Sequence, residues 1–159
     1  MRGHSKVLLV WVTTLWMLAF MPVAVAQEFT LQVGLPIAGN AQPAKSSLLV
    51  VRPGGCAEPT SAQITATAEG IVEGTRHSVR LTLFALPTPG VHAVPKGWAS
   101  RGVWIVSLVG TCAGKTAGAI VPVGPNATFR RETVKLLAHR PTPAEIDASL
   151  QALTTGGQK

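Results

Sequence analysis

Short apolar–polar alternations, punctuated by glycine and proline, fill most of the chain between two end segments of different rhythm. Phe29, Leu31, Val33 and Leu35 alternate with Thr30, Gln32 and Gly34, the period of a half-buried strand. Leu48, Leu49, Val50 and Val51 form a continuous apolar run between turn residues, which predicts a strand buried on both faces. Ala62, Ile64, Ala66 and Ala68 alternate with Gln63, Thr65, Thr67 and Glu69; His77, Val79, Leu81 and Leu83 alternate with Arg76, Ser78, Arg80 and Thr82. With Gly70 and Gly74 as the punctuation between them, these segments predict a hairpin with one apolar and one polar side. Pro87, Pro89 and Gly90 make a turn before a short strand over residues 90–94. Residues 96–102 read as a loop, and strands follow over residues 103–109 and 116–123, the last with Ala117, Ala119 and Val121 on one side. Pro122 places that strand at an edge or near its end. Residues 39–46 and 126–137 are polar connections, the second rich in basic residues.

The two ends break this rhythm. Residues 7–20 are apolar except for Thr13 and Thr14, follow Arg2 and Lys6, and lead through Pro22 to Ala24-Val25-Ala26. That order predicts a signal peptide over residues 1–26 with cleavage before Gln27. An uncleaved anchor is the competing reading of the same run. At the other end, Thr142 and Glu145 frame a capping box with Pro143 at the first helical position. Ile146, Leu150 and Leu153 then fall on one helical face, and Gly156-Gly157 stops the helix. Its thin stripe predicts docking on the sheet. The expected organisation is a signal peptide (1–26), a β-sandwich (27–140) and a C-terminal helix with a flexible tail (141–159).

Charge and composition narrow the partners. The net charge is +7, of which Arg2 and Lys6 leave with the signal. A basic exported chain favours anionic envelope surfaces, lipid headgroups or acidic glycans over nucleic acid. Arg130, Arg131, Lys135 and Arg140 cluster in sequence near His139, and Arg76 and Arg80 share the outward parity of one strand. Together they define a candidate surface for an anionic partner, against the plainer reading of a solvated strand face. All three methionines, Met1, Met17 and Met21, lie in the signal, so the exported part has no thioether ligands for copper.

Cys56 and Cys112 are the two cysteines. An even count in an exported chain predicts one disulfide. Both follow apolar runs and sit among glycines, as if in loops at the same rim of a sheet. Closing about 56 residues stabilises by roughly 4 kcal/mol in the chain-entropy account. A reactive pair, or a metal site built with His77, His92 or His139, uses the same sulfurs. No H-x-H or C-x-x-C spacing supports the metal site. His77, on the apolar parity of its strand, reads as a satisfied, partly buried histidine. No G-x-S-x-G is present, and Gly110 to Thr116 misses the phosphate-loop spacing by one residue. Asn126-Ala127-Thr128 fits a glycosylation sequon.

Short strands at intervals of about 8 to 14 residues predict an all-β sandwich. Pro89-Gly90-Val91, Trp98, and the run Gly102-Val103-Trp104-Ile105-Val106-Ser107-Leu108 make residues 47–123 resemble the immunoglobulin-like or transthyretin-like sandwiches of exported bacterial proteins. The resemblance implies an immunoglobulin-like β-sandwich of about seven or eight strands, here with a short C-terminal helix. It departs from antibody-type domains, whose tryptophan stands about a dozen residues after the first cysteine; Trp98 and Trp104 lie far beyond Cys56. The functional expectation is a secreted or periplasmic accessory protein without catalysis or cofactor. Its partner is an envelope protein or an anionic polymer, and it meets membrane only through an uncleaved signal. A periplasmic metal-binding protein using Cys and His ligands is the alternative, and a small secreted hydrolase the second.

Overall fold

Trp104, Val106, Leu108 and Cys112 alternate along one strand with Ile105 and Ser107, and both sets are buried. Such a strand must have a layer on each side. A computed structural model describes residues 27–36, 47–124, 127–128 and 130–156 and shows both layers. Residues 1–26, where the sequence predicts a signal peptide, the connection over residues 39–46, Asn126 of the sequon and Gly157 lie outside the described residues.

The strands are β1 (Thr30–Gly34), β2 (Ser47–Gly54), β3 (Gln63–Val72), β4 (Thr75–Leu81), β5 (Phe84–Ala85), β6 (His92–Pro95), β7 (Val103–Cys112), β8 (Lys115–Val123) and β9 (Lys135–Leu137). The helix is α1 (Pro143–Gly156). One sheet has the order β1-β2-β6-β5 and the other β4-β3-β7-β8-β9. Every pairing is antiparallel. Between the sheets lie Phe29, Leu31, Leu49, Val51 and Val94 from the first, with Ala66, Ala68, Trp104, Val106, Leu108, Ala117, Ala119 and Val121 from the second. On the outer side of the second sheet, Leu150 of α1 seats against Ile105 and Ile120, with Ile71, Leu137, Ile146 and Leu153 around them. The protein is therefore a β-sandwich with one helix laid on its larger sheet, and the helix docks through the three residues its spacing singles out.

The capping box forms as the sequence predicts: the Thr142 amide donates to Glu145 Oε2 at 2.8 Å, and the Glu145 amide donates to Thr142 Oγ1 at 3.3 Å. Ser149, on the buried side of α1, donates to the Glu145 carbonyl at 2.8 Å and accepts from Lys135 Nζ at 3.2 Å. These bonds remove the cost of burying its hydroxyl.

Several expectations are corrected. Nine strands are described rather than seven or eight; β5 and β9 are too short for alternation to reveal them. The first hairpin turns at Glu73 and Gly74, with φ of 50° and 79°, the type I′ geometry that matches strand twist. Gly70 lies inside β3 opposite Trp104, where a Cβ would run into the indole ring. Its role is close approach, not turning. Cys112 closes β7 rather than sitting in a loop. Cys56 and Cys112 do form the disulfide, with Cα atoms 6.0 Å apart; Cys56 lies in the loop two residues beyond β2, as expected, but the bond ties it to a strand of the opposite sheet rather than to one rim. His77 is exposed, not partly buried, because β4 is the last strand of its sheet.

Candidate functional site

The basic residues singled out by sequence divide between the two edges of the five-stranded sheet. Arg76 and Arg80 are on β4, while Arg130, Arg131, Lys135 and Arg140 surround β9. Four strand spacings separate β4 from β9, roughly 19 Å at about 4.8 Å each, with α1 lying over the strands between them. One continuous stripe is not what the fold presents.

At the β9 edge the side chains of Lys135 and Arg131, and the backbone carbonyls of Arg130 and Arg140, meet other parts of the chain. Lys135 holds Ser149, and the Arg131 guanidinium lies against Gly34 of β1. The Arg130 carbonyl accepts from the amide and hydroxyl of Thr133 at 3.0 and 2.7 Å. The Arg140 carbonyl lies 2.9 Å from His139 Nδ1, and His139 Nε2 is 3.7 Å from Glu145 Oε1.

At the β4 edge the two arginines differ. Arg76 donates from Nε and Nη2 to Glu69 Oε2 at 3.4 Å, and from Nη1 to Asp147 of α1. The bond to Asp147 raises its pKa above the ordinary arginine value, Glu69 adding a smaller effect. Arg76 thus ties the edge strand to the helix. Ser78 donates to the same Glu69 carboxylate at 2.9 Å. Arg80 is exposed, stands opposite Thr67, and among the described residues makes no ion pair.

The inner side of this edge carries an aromatic group that sequence reading did not assemble. Trp104 tilts against Trp98, from the loop before β7, with centroids 5.9 Å apart, and against His77 of β4 at 6.4 Å. The indole Nε1 of Trp104 donates to the Arg101 carbonyl at 2.8 Å. The parity of His77 with Val79 and Leu81 was visible in the sequence. The pairing that sets Trp104 across Gly70, next to His77, was not. Asp147 was likewise visible only as a helical residue, since its partner lies 71 positions away.

The three described histidines lie apart: His77 on β4, His92 on β6 with Nδ1 3.2 Å from the Gly90 carbonyl, and His139 beyond β9. Both sulfurs are taken by the disulfide. Among the described residues, no three His, Cys, Asp or Glu side chains are grouped to hold a metal ion. Comparison of the chain with protein-family models, curated proteins and solved structures finds no match.

Proposed function

We propose that this chain is an exported, non-catalytic accessory domain of the cell envelope that works by binding another protein. The observation that carries the reading is the edge formed by β4, seven residues long, with Arg80, which makes no ion pair among the described residues, on one side and His77 against Trp104 on the other. Long open edges are usually shortened, bulged or covered in proteins that do not use them.

The finer fold assignment we infer is immunoglobulin-like. The order β1-β2-β6-β5 against β4-β3-β7-β8-β9 can be laid on the pattern A-B-E-D against C′-C-F-G, with β9 added outside the last strand. The disulfide then joins the second and seventh strands, as the inter-sheet bridge of antibody domains does, but at their ends. The core tryptophan stands on β7 rather than β3. A disulfide is also what favours an oxidising compartment, and among the described residues no helix is long and apolar enough to cross a membrane. Metal binding through Cys56 and Cys112 needs both thiols reduced, and their pairing weighs against that alternative.

The test is an intact-mass and crosslinking measurement on protein from the exported fraction of its host. The expected chain begins at Gln27, is lighter by the two hydrogens of the disulfide, and crosslinks to an envelope protein. Retention inside the cell, or reduced thiols with a metal mass attached, overturns the reading.

A further inference from the structure

The edge of β4 has a hydrogen-bonding pattern that can be read from its register. Val72 pairs with Thr75 across the Glu73-Gly74 loop, and the two residues flanking a two-residue hairpin loop exchange both backbone bonds. Alternation then makes Gly70–His77, Ala68–Val79 and Ala66–Leu81 the bonded pairs. The backbone N–H and C=O groups of Arg76, Ser78 and Arg80 therefore point away from β3, to the open side. The same alternation counted from the Cys112–Lys115 pair bonds Ile105, Ser107 and Val109 of β7 to Glu69, Thr67 and Thr65 of β3, so the pattern is consistent across the sheet.

We propose that this edge binds an extended segment of another protein by β-strand addition. This proposal rests on the binding-module reading above and names its site and ligand chemistry. An added strand is held by main-chain bonds to Arg76, Ser78 and Arg80, and its side chains alternate between the two faces of the sheet. One parity falls beside His77, which is exposed and stands against the buried Trp104, and there favours an apolar or aromatic side chain. The other falls on the outer face. At the hairpin end of that face Arg76 is already matched by Glu69 and Asp147, so charge selection rests on Arg80, which takes a carboxylate from the partner.

The other edges fit this role poorly: β5 has two residues, β9 three and β1 five, against seven in β4. The β4 strand also has no proline, and its seven pairs run without a register shift. A second copy is a worse occupant than an acidic segment, because Thr75–Leu81 contains no carboxylate to meet Arg80, and like charges across strands destabilise pairing.

The probe is a short synthetic peptide alternating Glu and Val, added to the full isotope-labelled chain. Amide exchange at Arg76, Ser78 and Arg80 is expected to slow on binding, with β9 amides unchanged. A peptide carrying Lys in place of Glu should bind about tenfold more weakly, as should the Arg80→Glu variant with the Glu peptide. Ser78→Pro removes an outward donor, is tolerated at an edge, and is expected to weaken binding about tenfold while the amide spectrum stays dispersed. If Ser78→Pro does not fold, amide exchange and Arg80→Glu still decide the matter. Unchanged exchange at these three amides, or equal binding of the Glu and Lys peptides, overturns the proposal. Crosslinking in the exported fraction separates the two levels. A partner still captured while β4 amides exchange freely overturns the edge assignment alone, whereas no partner overturns the accessory reading too.

Discussion

At the residue scale, two positions hold the left-handed conformation without being glycine in an otherwise regular hairpin. Glu73 and Ala113 have φ of 50° and 48°, each followed by a glycine of positive φ. For an L-residue this conformation costs about 1–2 kcal/mol, least for Asn and Asp. Ala113 is exposed and forms the turn between β7 and β8, so Ala113→Asn is expected to stabilise the protein by about 1 kcal/mol, read as a shift in the urea midpoint at constant slope. The residues from Gly110 to Gly114 read as a turn in the sequence, but its place at Ala113-Gly114 did not, because the pair lacks the Asn or Asp that marks such turns. Gly70 was misread for the opposite reason: it looks like punctuation, yet its service is to leave room for the Trp104 ring. A glycine under an aromatic across a strand pair is visible only once register is known.

At the scale of single elements, α1 shows what the sequence states well. Its cap and its apolar stripe were legible, because each is a local signal at fixed spacing. Its partner surface was not, since Ile105 and Ile120 belong to strands far away in sequence. Leu150 is 1% exposed between them, and Leu150→Ala is expected to cost about 2–5 kcal/mol, with the loss measured by thermal or urea unfolding. The cap adds a pH dependence. The Glu145 pKa is lowered below the ordinary carboxylate value, first by the backbone bond from Thr142, then by its hydroxyl, with smaller help from His139 and Lys135. A carboxylate whose folded pKa is depressed contributes stability above its unfolded pKa and loses it as pH falls through the folded one. Wild type and Glu145→Gln are therefore expected to differ in melting temperature at neutral pH and to converge in acid. A constant difference across that range would show that charge plays no part in the cap.

For the whole molecule, the sandwich was legible from strand spacing and the disulfide from cysteine count and context. The sheet order, and with it the open edge at β4 and the split of the basic residues, was not, because pairing between distant strands leaves no local mark. The Cys56–Cys112 disulfide cross-links the two sheets beyond the backbone connections, and removing it is expected to lower stability by about 4 kcal/mol in the chain-entropy account. Denaturant curves with and without reductant check this; equal midpoints would show that the unfolded chain is already constrained without it.

The same bond changes what a broken backbone means. Lys96 and Arg101 are exposed in the loop between β6 and β7, and that loop falls inside the ring the two cysteines close. A trypsin cut there yields two polypeptides that remain one molecule, joined by sulfur and by the pairing of β3 with β7. On a gel the nicked protein should run as a single band until a thiol is added, and then as two. The domain can thus be opened at that loop, by a protease or by an inserted label, without coming apart.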